Sequence, residues 1–427
     1  MELLPSLRTG DSPRTGDDFA RQLQQHRTRR RLTQTELADL SAVSVRALRN
    51  LEKGQVAVPR TDTVRLLSDA LRLTAHERAE FEVAAGCQSG DALFESLVEA
   101  PPAKPLLGRE RETEVLHRLL AGEHRGITAI TGFAGVGKTH LAAAVATRLR
   151  ARGVPTLWAG PAAAGAARPG QPAGRVTELL ASGEEGFGEL ARLVGERAAL
   201  LVVDGNDRGP IPREQLRSLA RLCPNLRILE TSRAPQGAVE EFHLPLQPLG
   251  AAAEGGEGLP TREAEALLVQ LIADRQPGFA PGPAVMPLLS EVCRRLDGVP
   301  RALEAAASWS MIASLDELLT MAREEPLLLA THPGSPAGLG LAVHEAVAVQ
   351  PPSHRELLAR LASRPGPWTV EAVAATLGRT RTETAAAVYR LVQCGLIRKT
   401  AAATGARSEL AVLHAVRAYL ANPVVPV

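Results

Sequence analysis

Aromatic residues make up only 3% of this 427-residue chain, and cysteine and methionine occur four times each. The four cysteines, Cys87, Cys223, Cys293 and Cys394, lie far apart and form no C-x-x-C pair. That spacing argues against a disulfide framework or a zinc ribbon and suits free thiols in a reducing compartment. The ten histidines show no metal-ligand spacing. No apolar run approaches the ~18 residues that a membrane helix needs. The opening MELLPSLRTGDSPRTGDD lacks the basic-then-apolar order of a signal peptide. A cytoplasmic protein with no membrane partner is therefore expected. A net charge of +2 gives no chain-wide argument for nucleic acid.

What is abundant is Ala, Leu, Arg, Gly and Pro, the usage of a GC-rich bacterial genome. Hydrophobic residues reach 45%, enough to bury sizeable cores. The length suits about three domains of roughly 100–200 residues each.

Residues 1–16 are polar and read as a flexible tail. From 17 to 86 the pattern is helical. Phe19, Leu23 and the stem of Arg27 mark one face of a first helix. TQTE, Thr33 to Glu36, is a capping box that opens a second helix with Leu37 and Leu40 inward. SAVS makes a tight turn, and Ser44 caps a third helix, VRALRNLEK, ended by Gly54. Two short helices across a tight turn form a helix-turn-helix pattern. Between Asp17 and Arg60 there are nine Arg/Lys and five Asp/Glu, a local net of +4. An ordinary helical bundle with a solvated basic face, or a protein-contact module, would share much of this pattern.

LTQTELADLSAVSVRALRNLEKGQ resembles the Cro/repressor-type (XRE) helix-turn-helix family, and TDTVRLLSDALRLTAHERAEFEVAAG resembles its closing helices. The resemblance implies double-stranded DNA as partner, with the third helix in the major groove. It places Gln34 near a phosphate at the start of the second helix. Val45, Arg46 and Asn50 come to the base-edge side, with Arg46 suited to guanine and Asn50 to adenine, and Ser44, the cap of that helix, is counted with the DNA-binding residues. Arg49 and Lys53 come to the phosphates. Arg27 and Glu52 match a structural ion pair of the family, and Ala42 stands where the family's turn has Gly.

Residues 87–104, with PPAKP, read as a linker. Beyond it, apolar runs alternate with helical patterns, which argues an α/β domain with a parallel sheet over 105–250. GITAITG is a strand. GFAGVGKT follows it, satisfies G-x-x-x-x-G-K-[ST] and opens a helix. Gly132, Gly135 and Gly137 let the backbone amides turn toward phosphates. Lys138 is expected on the β- and γ-phosphates and Thr139 on Mg²⁺. RAALLVVDGND is a second buried strand ending in Asp204, a second Mg²⁺ group. LRILETSR and HLPLQPL are further strands. PAAAGAARPGQPAG, 161–174, reads as a flexible Gly/Ala/Pro loop.

Residues 251–335 have helical spacing, as in REAEALLVQLIADR and PLLSEVCRRLDG. Over 336–427, PSHRELLARLAS, TVEAVAATLG and RTETAAAVYRLVQCGLI are helical, and LIRKT with ELAVLHA brackets a Gly-containing turn as a two-stranded wing.

LLGRERE, the P-loop, LLVVDGND, ILETSR, LDGVPRALEAAA and AVLHAVRAYL follow one another in this order. Together they resemble the NB-ARC branch of the STAND ATPases over roughly 105–422. The resemblance implies ATP/ADP with Mg²⁺, a helical domain and a closing winged-helix domain. It places Gly108 and Arg109 near the adenine, Arg233 on the γ-phosphate, Pro300 against the base and His414 on the β-phosphate of ADP. Gly205 stands where the family often has a second acidic residue or Asn, and Asp207 is out of register. Arg301 replaces an apolar residue and Ala415 replaces the Asp of the family's His-Asp signature. With no residue assigned to orient the attacking water, catalytic residues are unknown and any hydrolysis is expected to be slow.

The expected fold is thus multidomain: an all-α helix-turn-helix domain, a P-loop parallel α/β domain, a helical domain and a winged-helix domain. The expected function is a nucleotide-gated transcriptional regulator that forms homo-oligomers. No internal repeat of 20–50 residues is present to act as a sensor, so the input is expected through a partner such as a separate sensor or effector protein, through the nucleotide, or through the domains present. A defence or signalling scaffold that oligomerises on ATP is the alternative. A P-loop kinase or hydrolase is disfavoured by the lack of an acceptor site or base.

Overall fold

The computed structural model describes residues 15–56, 59–86, 90–98, 105–122, 126–160, 172–205, 211–236, 241–250, 262–335, 338–364, 366–400 and 409–423. They divide into two units, Met1–Glu99 with Ala162–Gly195 and Ala100–Pro161 with Glu196–Val427.

The first unit opens with α1 (Thr15–Arg29), α2 (Gln34–Ser41), α3 (Val45–Glu52), α4 (Thr61–Ala70) and α5 (Ala75–Ala84). Their core holds Phe19, Leu23, Leu37, Leu48, Leu51, Val64, Leu67 and Phe81, with the Phe19 and Phe81 rings 4.7 Å apart. Thr33 and Glu36 form a capping box at α2, and Ser44 accepts from the Ala47 amide at α3. Leu40, expected inward, is instead 61% exposed. The buried face of α2 is Leu37, Ala38 and Ser41, and at 100° per residue Leu40 falls well to one side of it.

A further helix, α6 (Gly90–Leu97), falls inside the stretch read as a linker, and its Leu93, Phe94 and Leu97 are buried. It packs against two helices that come much later in the chain. Between them in the chain the second unit begins, with α7 (Glu110–Ala121), β1 (Ile127–Thr131), α8 (Lys138–Arg150) and β2 (Thr156–Ala159). Then come α9 (Pro172–Ala181) and α10 (Glu184–Val194), which pack on each other and on α6 and so belong to the first unit. Arg175 of α9 reaches Glu80 of α5 at 3.3 Å and Glu189 of α10 at 3.9 Å. Residues 161–171 of the expected Gly/Ala/Pro loop lie outside the described residues, while 172–174 open α9.

The second unit continues with β3 (Ala199–Val203), α11 (Arg213–Leu222), β4 (Leu226–Ser232) and β5 (Phe242–Pro245). The sheet order is β2-β3-β4-β1-β5, with every pairing parallel. β1 and β3 are buried along their whole length, as expected for central strands of a covered parallel sheet. β2, in VPTLWAG, is a fifth strand that the sequence pattern did not single out. The ends of β1, β3 and β4 bring the P-loop, Asp204 and Arg233 to one edge of the sheet, where ligands bind in open α/β folds.

Next come α12 (Arg262–Arg275), α13 (Met286–Arg295), α14 (Pro300–Trp309), α15 (Leu315–Glu324) and α16 (Pro326–Leu329). The C-terminal part has α17 (Leu339–Ala348), α18 (Pro352–Ala362), α19 (Val370–Leu377), α20 (Arg381–Gln393), β6 (Ile397–Thr400), β7 (Glu409–Val412) and α21 (His414–Ala421). β6 and β7 pair antiparallel, and the turn between them lies outside the described residues. One apolar core runs through these helices and includes Phe133 of the P-loop, which is fully buried.

Candidate nucleotide site and DNA-facing helix

The P-loop spans from the end of β1 to the start of α8, and Gly132, Gly135 and Gly137 all have positive φ. At Gly132 a side chain is excluded outright, because a Cβ would lie 2.5 Å from the Leu246 carbonyl oxygen. Gly135 is equally confined: its carbonyl accepts from the Arg301 amide at 3.2 Å, and a Cβ would lie 2.6 Å from the Arg301 Cβ. The start of α14, with Pro300 at its first turn, therefore rests on the phosphate loop. Arg301, unusual by the pattern of the resemblance, is tolerated because its backbone and Cβ make this contact while the side chain is exposed.

Lys138 donates to the Gly132 and Phe133 carbonyls at 2.8 and 3.0 Å, so its ammonium lies across the loop. Thr139 donates to Asp204 Oδ1 at 2.8 Å, and Thr231 donates to the same oxygen at 2.6 Å. Thr231 also accepts from the Gly205 amide at 2.9 Å. It is a site residue the sequence reading missed; its signal was its place in LETSR, directly before Ser232 and Arg233 at the end of β4. The Thr139 hydroxyl and Asp204 carboxylate are hard oxygen donors at hydrogen-bonding separation, and they fit a Mg²⁺ that keeps most of its waters. Among the described residues no carboxylate follows Asp204 directly, and Asp207 lies outside them. Glu230, one strand over, is buried and paired with Arg213 at 2.6 Å.

Arg109 is buried, and burial pushes its pKa down while Glu112 at 2.9 Å opposes that shift. It donates to the Gln247 carbonyl at 2.6 Å and the Val136 carbonyl at 3.4 Å, bracing the P-loop from behind. Gly108 sits against α12, where a Cβ would be 2.6 Å from Glu263 Cγ. Arg233, at the end of β4, is ion-paired with Glu345 of α17.

His414 opens α21. Its Nδ1 lies 2.8 Å from Asp297 Oδ1, and the Ala415 amide donates to Asp297 Oδ2 at 3.1 Å. Asp297 belongs to LDGVP, has φ of 55° and is buried. Burial alone would raise its pKa, but the hydrogen bond and charge of His414, with Arg398 at 3.8 Å, hold it below the usual carboxylate value.

In the N-terminal unit, Arg46, Arg49 and Lys53 are exposed on α3, and Val45 and Asn50 are half-buried beside them. Arg27 Nε lies 2.5 Å from Glu52, and Gln34 donates to the same carboxylate at 2.7 Å. Gln34 thus ties the first turn of α2 to the end of α3. Ala42 adopts the left-handed conformation, with φ of 56°, so the turn forms without its usual glycine.

Residues 18–81 match a helix-turn-helix domain family. The N-terminal module is therefore a helix-turn-helix domain. Among known proteins, a Mycobacterium tuberculosis protein named "Putative HTH-type transcriptional regulator" is 34% identical over 207 residues, covering 45% of this chain and 21% of that protein. An uncharacterised protein of the same species is 28% identical over 217 residues, covering 50% of this chain and 52% of its own length. The chain thus spans from about a fifth to about half of these relatives. Among solved structures, a STAND protein with a tetratricopeptide repeat sensor from Pyrococcus horikoshii is 15% identical, with a TM-score of 0.31, covering 77% of this chain and 44% of that one. The replication initiator DnaA bound to AMPPCP and single-stranded DNA is 13% identical, with a TM-score of 0.34, covering 69% and 90%. These scores are low, and the fold described above rests on the strand order and the P-loop. Among the described residues, no helix is long and apolar enough to cross a membrane.

Proposed function

We propose that the chain is a nucleotide-gated transcriptional regulator of the NB-ARC (STAND) type that binds double-stranded DNA through α3. One observation carries the gating: Phe133, directly after the first glycine of the P-loop, is buried in the core shared by the helical and C-terminal domains. A loop that grips phosphates and is also part of that core transmits occupancy to it.

In this reading Lys138 and the glycine-rich loop hold the phosphates, Thr139 and Asp204 hold Mg²⁺, and Pro300 closes on the base. Gly108 lies at the adenine side, and Arg109 acts there by bracing the loop. Bound Mg²⁺ supplies charge neutralisation to the terminal phosphates. Arg233 reads the γ-phosphate and His414 the β-phosphate. ADP favours the closed arrangement, and ATP favours one open to homo-oligomer contacts. A ligand shifts such a balance only by its differential affinity for the two states. With Gly205 after Asp204, turnover is slow, far below the ~10 s⁻¹ of a typical enzyme.

Genome-wide DNA occupancy with and without Lys138→Ala tests the whole reading. The expected result is a changed occupancy pattern while the variant protein remains folded. Identical occupancy, with nucleotide bound by the wild type, would reduce the P-loop to a structural site.

A further inference from the structure

The signature AVLHAVRAYL carries His414 but has Ala415 where the resemblance calls for an aspartate. The fold brings a carboxylate to that place from 118 residues upstream in the chain: Asp297 Oδ2 accepts from the Ala415 amide itself. The other carboxylate oxygen takes His414 Nδ1. We infer that Asp297 stands in for the missing aspartate and positions the His414 ring so that Nε2 addresses the terminal phosphate of ADP.

Five features support this. Asp297 has no exposed side-chain surface, while the His414 side chain keeps 29%, so the pair has one fixed end and one accessible end. The left-handed backbone at Asp297, where α13 ends, is uncommon for a residue with a Cβ, and it directs the carboxylate at α21. The Ala415 amide belongs to the first turn of α21, whose orphan donors and positive dipole favour an anion. Bonding Nδ1 to a carboxylate fixes the ring's orientation, and Nε2, when it carries a proton, can donate to a phosphate oxygen. Arg398 at 3.8 Å places a guanidinium beside the same carboxylate.

This inference rests on the nucleotide-gated reading, and the test separates the two. ADP and ATP affinities would be measured by calorimetry on the full chain for wild type, Asp297→Asn, His414→Ala and the double variant, with thermal melts of each. Asp297→Asn keeps the shape but replaces one acceptor by a donor and removes the charge. ADP should weaken about ten-fold, ATP by less than about two-fold, and the double variant should be no worse for ADP than His414→Ala alone. A merely structural role would lower the melt and weaken both nucleotides alike. Additive losses in the double variant, or an unchanged ADP-to-ATP ratio, would overturn the inference. Wild type that takes up neither nucleotide would overturn the gated reading and this with it. If Asp297→Asn does not fold, His414→Asn decides. Its amide nitrogen occupies the place of Nδ1 and keeps the Asp297 contact, but it has no Nε2, so ADP should weaken by the same factor at an unchanged melt. Wild-type ADP affinity in His414→Asn would overturn the inference.

Discussion

Arg233 and Glu345 form an ion pair that joins the end of β4 to α17. Both side chains are partly exposed, at 35% and 25%, so the pair contributes about 1 kcal/mol or less to holding these elements together. Its interest is competitive. In the gated reading a guanidinium that reads a γ-phosphate must change partners, and the carboxylate it leaves belongs to α17.

Glu345→Gln should therefore favour ATP. The variant gives up an ionic partner of Arg233 that ATP otherwise has to displace. ATP should bind roughly two- to five-fold tighter, matching up to about 1 kcal/mol, while ADP changes little and the melt drops by no more than a few degrees. Calorimetric titration with each nucleotide checks this. Equal effects on ATP and ADP would show that Arg233 does not discriminate between them.

Thr231→Val should uncouple Mg²⁺ from the nucleotide. Thr231 donates to Asp204 and accepts from the Gly205 amide, so its hydroxyl fixes both the carboxylate and the turn after β3. Losing a group that orients a metal ligand typically costs about 10- to 100-fold in metal affinity. The Mg²⁺ concentration needed for half-maximal nucleotide binding should rise by about that factor, with little change in Mg²⁺-free binding. A Mg²⁺ titration at fixed nucleotide measures it.

Much of this site was legible in the sequence because its residues sit in contiguous strings. The P-loop, the strand leading into Asp204 and the β6–β7 pair each depend on local order, and the capping box of Thr33 and Glu36 is local chemistry. What was not legible depends on chain segments meeting from afar. Asp297 reads as part of a loop motif, and nothing local ties it to Ala415. β2 is four residues long and too short for periodicity to mark. α6 was hidden next to a Pro-rich stretch, and much of its packing is against α9 and α10, which come far later in the chain. Leu40 was misplaced because an eight-residue helix is too short to define its buried face from pattern alone.

In the helix-turn-helix domain, Arg46 and Arg49 should behave differently if α3 reads DNA. Both are exposed on α3, but Arg46 lies in its first turn and Arg49 in its last. Arg46→Ala should cost about 1–3 kcal/mol on the preferred operator and relax preference at one base position. Arg49→Ala should weaken all sequences alike and reduce the salt slope by about one. Binding assays across a randomised operator set at two salt concentrations would distinguish them. Full binding by a fragment that starts at Pro101 would remove the assignment from α3 altogether.

Gly395→Ala should loosen the turn after α20 from the phosphate loop. Gly395 follows α20, has φ of 70° and donates to the Val392 carbonyl at 2.9 Å. A Cβ there would lie 2.6 Å from the Phe133 backbone nitrogen and 3.0 Å from its Cβ. The first neighbour is P-loop backbone that cannot swing aside, and the left-handed conformation adds roughly 1–2 kcal/mol for any residue with a Cβ. The substitution therefore acts on both sides of one contact: it strains the turn and pushes at the loop. In the gated reading this mimics release of the closed state. ADP affinity should fall by about ten-fold or more, consistent with a loss of at least ~1.4 kcal/mol. Scattering in the presence of ADP should move toward the wild-type profile with ATP. An ADP-bound Gly395→Ala protein that keeps the wild-type ADP profile and affinity would mean that the P-loop and the C-terminal domain adjust independently, and that the shared core at Phe133 does not transmit nucleotide state.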